Sequence, residues 1–473
     1  MIAVRLLLLV PLLAAALAGS GCAAAQGRAA SPAAGHPAQG LDAELLYQLL
    51  LAELTRQRDP GAAYTLTLEA ARRSGHPQLY RRAIDIALGG RAPNAALEAA
   101  RAWVQAHPGD DEARRIQLQL LAGLQRIEEL GGALRDWLRV ATPQRRLEII
   151  GAMAAILGRV TDQEAALAAA QTALRPWLEQ PATAAPAWAA LGAVQLQAGR
   201  KDEALQAATR AVQADAAHAA GALLAVQLLD DHPQAAQALL QRHLQATRGR
   251  RDASPEARLA WAQALARRGE LDAALALLAD APGRDTAEQR RVRIMQARLL
   301  RDAGRDQAAY DTLAEALRDQ PDDPDLSYEL ALAAERVGRH DEMERLLRDL
   351  IARRPDDPHA YNALGYSLAD RGVRLEEARQ LIQEALRRAP DDGYIIDSLG
   401  WVEYRLGNVV EARRWLTRAL ELKPDAEIAA HLGEVLWVLG EPEEARRIWR
   451  QGLELDARNR TLRETLRRFG VEP

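Results

Sequence analysis

From Pro358 to Asp456 the apolar and small residues fall into three segments, about 34 residues apart, that repeat one skeleton. The first segment carries it at Tyr361, Leu364, Gly365, Gly372, Ala378, Ile382, Ala385 and Pro390. The second carries it at Ile396, Leu399, Gly400, Gly407, Ala412, Leu416, Ala419 and Pro424. The third runs Ala429, Leu432, Gly433, Gly440, Ala445, Trp449 and Gly452, one residue shorter, with Ala457 where the proline would fall. Spacings of three and four within each segment predict two helices joined by a glycine turn. A small residue at Gly365 or Gly400 lets the partner helix come close. Alanines at 378, 412 and 445 mark the crossing, where a larger side chain would force the helices apart. Pro390 and Pro424 end the second helix.

Upstream the pattern is looser. Leu45, Leu46, Leu49, Leu50 and Leu54 mark one helical face, Asp59-Pro60-Gly61 breaks it, and Tyr64, Leu68 and Ala71 mark the next helix. Ala96, Ala100, Trp103 and Pro108 echo the second-helix spacing. Between Asp110 and Gln180 the period stays helical while the skeleton decays, which predicts degenerate pairs. A clean unit returns at Trp188, Leu191, Gly192, Gly199, Ala204, Ala208 and Ala211. The polar run from Thr247 to Pro255 is the expected boundary between an N-terminal half, 41–250, and a C-terminal half, 254–473. Arg460 to Phe469 reads as a polar closing helix of the kind a repeat array needs at its end.

A chain of 473 residues rich in Ala, Leu and Arg is too long for one core, and stacked pairs solve that problem because each buries its stripe against its neighbours. The skeleton resembles the tetratricopeptide repeat. That resemblance implies an all-α fold, a right-handed superhelical solenoid of helix pairs. A net charge of −4, with Arg and Asp/Glu interleaved along helical faces, leaves no basic footprint for nucleic acid.

The N-terminus has a different character. A short basic start, Met1 to Arg5, precedes an apolar run from Leu6 to Ala18 that is too short to span a bilayer and suits a signal peptide over 1–21. The single cysteine, Cys22, stands just beyond it. Ala18-Gly19-Ser20-Gly21-Cys22 is similar to a bacterial lipobox, although Gly19 stands where leucine is commoner. The expectation is lipidation of Cys22 and, with Ala23 next to it, sorting to the outer membrane on its periplasmic face. Ordinary secretion with cleavage after Ala25 is the alternative. Residues 22–40, rich in Ala, Gly, Ser, Pro and Gln, read as a tether.

No catalytic constellation emerges, so the chain reads as a non-enzyme without cofactor or metal. The nine histidines are scattered, and the glycines occur singly at repeat turns, so no loop cradles phosphate. Gly365-Tyr366-Ser367-Leu368-Ala369 nearly matches nucleophile-elbow spacing but ends in alanine and falls inside a helix. Asp322-Asp323, Asp356-Asp357 and Asp391-Asp392 precede helices, where carboxylates cap free amides. What a solenoid offers is a concave wall, lined by the second, fifth, ninth and twelfth positions of each first helix. Those positions hold Tyr394; Asn362 and Asp397; Tyr366 and Trp401; and Tyr404 and Trp437, with Arg405, Arg336 and Glu335 at the edge. One reading is an aromatic strip that grips a peptide or partner helix; the other packs these rings against the next repeat. Tyr361, Trp415 and Trp449 fall at or beside packing positions and are assigned to the core. Only Lys201 and Lys423 occur, so the lysine clamp with which some such solenoids hold a C-terminal carboxylate is not expected.

Four runs are more specific than generic repeats: Tyr361 to Arg371, Leu375 to Ile382, Asp397 to Gly407 and Ala430 to Trp437. They resemble the C-terminal part of proteobacterial tetratricopeptide-repeat lipoproteins that bind the periplasmic carboxyl-terminal processing protease, and the run Leu45 to Leu54 is similar to the entry helix of that family. The resemblance covers roughly 41–103 and 322–469. It implies an outer-membrane adaptor that holds protease and substrates, such as cell-wall hydrolases, together without catalysing anything itself. A scaffold for envelope assembly or for polysaccharide or protein export uses the same fold and stays open.

Overall fold

The computed structural model describes residues 43–250, 255–279 and 285–471. Among them are twenty-five α-helices and one 3-10 turn, with no strand. The chain is an all-α solenoid of helix pairs. It divides into two compact units, one ending at Leu120 and the other beginning at Leu121. The expected signal peptide, Cys22 and the tether lie outside the described residues, as do 251–254 of the polar run. Ala236 and Leu240 before that run share one apolar core with Ala257, Trp261 and Leu265 after it.

In the first unit, helices Ala43–Thr55, Pro60–Ser74, Pro77–Gly89 and Pro93–Ala106 pack in sequence order. Proline opens three of them, where its missing amide hydrogen costs nothing. Asp59 accepts from the Ala62 amide and so caps the second. Tyr80 and Trp103 stack in the core with centroids 6.4 Å apart. The leucine face of the first helix is split: Leu45 and Ala52 turn inward, while Leu46, Leu50 and Leu54 are exposed. Its main neighbour is Pro60–Ser74, and one neighbour covers only a narrow row of side chains.

Within the second unit, the segment that predicts clean repeats folds into helix hairpins. Pro358–Asp370 pairs with Leu375–Arg388, Gly393–Arg405 with Val409–Leu422, and Ala426–Val438 with Pro442–Leu455. The crossing alanines, Ala378, Ala412 and Ala445, are fully buried. A side chain at Gly400 would place its Cβ 2.6 Å from Leu416 Cγ, so the helices touch there because nothing stands between them. Gly407 takes φ +88°, a turn conformation that other residues adopt only under strain. Asp323, Asp357 and Asp392, the second member of each acidic pair, cap the helices after them by accepting from backbone amides. Ser367 lies inside Pro358–Asp370, where no elbow forms.

The degenerate stretch is also helical, but it pairs differently. Ile127–Val140 packs mainly on Gln163–Leu174, and Pro143–Leu157 on Ala184–Gln197, each skipping its neighbour in sequence. A Cβ at Gly131 would sit 3.1 Å from Ala169 Cβ, so small residues again set the closest approach.

Candidate partner-binding wall

Along the second unit the first helices of successive pairs lie side by side: Pro324–Arg336, Pro358–Asp370, Gly393–Arg405, Ala426–Val438 and the closing Arg460–Phe469. Each winds so that its packing positions face its own second helix, and Asp397, Trp401 and Tyr404, at the fifth, ninth and twelfth positions of Gly393–Arg405, meet the next first helix or each other. Adjacent first helices touch, so a side chain on one reaches across to the next repeat.

This is how a ring cluster forms around His431. The Trp401 indole stacks on the His431 imidazole with centroids 4.2 Å apart and 21° between planes. Tyr404 lies 5.2 Å from Trp401, and Tyr366 lies 6.2 Å from His431 on the other side. Asp397 approaches His431 Nδ1 at 3.0 Å, and both residues are buried. The two are 34 residues apart and come from neighbouring repeats.

Hydroxyls and carboxylates complete the network. Tyr366 donates to Glu427 at 3.3 Å, as does Thr461 of the closing helix, and Tyr404 donates to Glu434 at 3.1 Å. Arg468 of the closing helix pairs with Glu434. Burial pushes His431 toward its neutral form, but the carboxylate of Asp397, helped by Glu427 and Glu434, outweighs burial and holds its pKa above the ordinary histidine value. Burial, then Glu427 and Asp397, hold the Tyr366 phenol well above its usual range. Burial and then Glu434 push Tyr404 up to about 12. Both phenols therefore remain protonated donors at neutral pH.

The other expected wall residues fall elsewhere. Trp437 joins a separate cluster, 5.6 Å from Trp449 and 5.9 Å from Phe469. Tyr394 is half exposed, its hydroxyl 3.3 Å from Asp425 and its ring below the Lys423 ammonium at 5.3 Å. Asn362 is half-buried, and its Oδ1 accepts no hydrogen bond. Arg405 donates to the Asp370 carbonyl at 2.5 Å and lies 5.9 Å from the Trp401 ring. Arg336 pairs with Asp306, and burial raises the pKa of Glu335. Of the residues assigned to the core, Trp449 is fully buried, whereas Tyr361 and Trp415 are half-buried with arginine guanidinium groups over their rings.

His431, Glu427, Glu434 and Arg468 were not legible as wall residues. Glu427 and Glu434 occupy the second and ninth positions, so reading those positions for carboxylates as well as rings would have found them. His431, at the sixth position, is visible only through its contact with the preceding repeat.

The tetratricopeptide-repeat family model matches residues 294–342, 344–393 and 398–459. A TPR repeat-containing protein of Pseudomonas aeruginosa, PA4667, is 37% identical over 141 residues, covering 30% of this chain and 24% of that protein. The match therefore spans about a quarter of the relative's length. Among solved structures, a thermophilic TPR protein of Thermus thermophilus, TTC0263, superposes with a TM-score of 0.35 at 26% identity, over 38% of this chain and 98% of that one. Yeast Tom70 superposes with a TM-score of 0.40 at 12% identity, over 90% of this chain and 94% of that one. The three matched segments cover most of the helix hairpins and wall helices from Pro324 to Leu455, and the closing helix lies beyond them. Residues 294–459 of this chain are a run of tetratricopeptide repeats.

Proposed function

We propose that this protein is a non-catalytic adaptor that grips a periplasmic carboxyl-terminal processing protease and presents substrates such as cell-wall hydrolases to it. In this reading, a lipid on Cys22 holds it at the outer membrane. The observation that carries the proposal is the row of first helices from Pro324 to Phe469, whose wall carries the exposed Tyr394 ring and the half-buried Tyr366 and Tyr404 rings, apolar area with polar tips of the kind found at binding hot spots, while Trp401 is packed against His431 of the next repeat. The resemblance of the Tyr361–Arg371 and Asp397–Gly407 runs to the protease-binding lipoproteins supports the choice of partner. An adaptor needs no reactive group, because holding two proteins on one surface raises their effective concentration.

The test is co-purification of the tagged chain with its cognate processing protease from detergent-solubilised envelopes, and then direct binding of the purified pair. Failure of both abandons the protease; recovery of export or assembly subunits in its place favours the scaffold reading. Intact mass of the mature protein decides the anchor, since acylated Cys22 and a start after Ala25 differ by more than any adduct.

A further inference from the structure

Of the large apolar side chains exposed among the described residues, four stand on the first helix, Ala43–Thr55, and no other helix carries more than two. Leu46, Tyr47, Leu50 and Leu54 are 50%, 67%, 55% and 79% exposed. Ala43, Tyr47, Leu50 and Leu54 recur at four, three and four residues, the spacing that lays one straight stripe along a helix, and Leu46 borders it.

The stripe is held outward. On the opposite face Leu45 and Ala52 are buried, and Gln48 donates to the Leu66 carbonyl at 2.9 Å. Arg82 grips both oxygens of Glu53 at 2.6 Å, and Glu44 pairs with Arg73 at 3.5 Å. Rolling the leucines toward Pro60–Ser74 would break these contacts one after another. An apolar stripe fixed in the open is a surface for another helix.

Charge selects which helix. Glu44 lies in the first turn with its side chain 82% exposed. Arg58, just past the last turn, is exposed and has no ion pair among the described residues. The two are separated by two heptads, so they flank the stripe on the same side. An antiparallel second copy sets Glu44 of each chain beside Arg58 of the other, with the two Leu50 side chains near the middle. A parallel copy would set Glu44 against Glu44 and Arg58 against Arg58. Antiparallel helix dipoles also place opposite ends together.

We infer that this chain pairs with a second copy of itself through Ala43–Thr55, the two helices running antiparallel about a two-fold axis near Leu50. Such a contact uses the same patch on both copies, so it closes at two. The helix has 13 residues and is about 20 Å long. One pair of that length stays below the roughly 1,200 Å² of a standard interface, so the dimer is weak, with a dissociation constant on the order of 10 µM. The surface belongs to the first unit, whereas the wall belongs to the second, so pairing and partner capture are separable.

Sedimentation velocity of the full chain from about 2 to about 200 µM is expected to show monomer giving way to dimer. Leu50→Glu sets two carboxylates at the axis and is expected to raise the dissociation constant at least about thirtyfold, with helical content unchanged because Leu50 is open to water. Orientation is read by disulfide formation in a Cys22→Ser background, which removes the one native thiol. An equimolar mixture of Tyr47→Cys and Leu54→Cys chains is expected to cross-link position 47 to position 54. A chain that stays monomeric, a dimer that Leu50→Glu leaves intact, or cross-links that join 47 to 47 and 54 to 54 as readily overturns the inference. A monomer whose Leu50→Glu variant loses the processing protease gives this face to the protease, which overturns the pairing and supports the adaptor. A dimer abolished by Leu50→Glu, in a wild type that captures no protease, keeps the pairing and removes the protease.

Discussion

The two ring clusters of the last repeats grow from equivalent positions and end in different roles. Trp401 and Tyr404, at the ninth and twelfth positions of Gly393–Arg405, sit among carboxylates, an imidazole and hydroxyls. Trp437, at the twelfth position of the next first helix, instead meets Trp449 and Phe469, with Arg446 5.4 Å over its ring. The helix that packs next against each one makes the difference. Gly393–Arg405 is flanked by another wall helix bearing Glu427, His431 and Glu434, so its rings border a polar surface. Ala426–Val438 is flanked by the closing helix, which folds over so that Phe469 covers Trp437. Position within a repeat decides which way a ring faces, and the next repeat decides whether that face meets polar groups or other rings.

Removing the ring that both ends of the closing cluster share is expected to have the largest effect. Trp449 is fully buried, and Trp449→Ala is expected to cost about 3–5 kcal/mol, because the cavity cannot collapse between two helices fixed by Gly433. Repeat arrays unfold unit by unit, so hydrogen exchange read by mass spectrometry is the suitable measurement. Protection is expected to fall from Ala426 to Phe469 and to survive over 324–388. Uniform loss along the second unit would mean that the two clusters are one cooperative core.

The polar cluster breaks differently, through charge. His431→Gln removes one partner of a buried pair and is expected to cost about 3 kcal/mol at pH 6. The raised pKa of His431 sets the sign of the pH dependence. The pair's contribution is complete below the ordinary histidine value and is lost as the pH rises through the higher folded-state value. Urea midpoints of wild type and His431→Gln are therefore expected to converge between pH 6 and pH 9. A gap that holds constant would mean that the imidazole packs as a neutral ring.

These contrasts mark what was legible in the sequence. Gly400, Ala412 and Leu416 are local signals, because a helix hairpin closes within one repeat and its packing spacing is printed along a few turns. The hairpins from Pro358 to Leu455 are a direct consequence. His431 on Asp397 is a contact between repeats, and no periodicity within one repeat contains it. The helices from Ile127 to Leu157, inside the degenerate stretch Asp110–Gln180, were harder for a related reason: without the glycine and alanine skeleton they pack mainly on partners two elements away, so adjacent spacing carries no pairing information. The split between Trp437 and Trp401 depended on the closing helix, whose polar composition showed that it would end the array but not which ring it would cover.

Gly400→Ala is a smaller and more local probe of the polar side. The added methyl meets Leu416 at the hairpin crossing, and overpacking of this kind costs about 1–3 kcal/mol. Its expected consequence is a shift of Gly393–Arg405 away from Val409–Leu422, seen as weaker exchange protection in both helices. The Trp437 cluster is expected to keep its protection.

The smallest expected change in stability separates ring packing from ring chemistry. Trp401→Phe keeps an aromatic face against His431 and discards an indole N–H that bonds to nothing. With no hydrogen bond to lose and only modest volume removed, the loss is expected to stay below about 1.5 kcal/mol in urea denaturation. The same replacement at Trp449 discards an N–H that donates to the Ala430 carbonyl at 3.3 Å and is expected to cost more. A loss at Trp401 as large as the loss at Trp449 would mean that the Trp401 N–H holds an acceptor in solution.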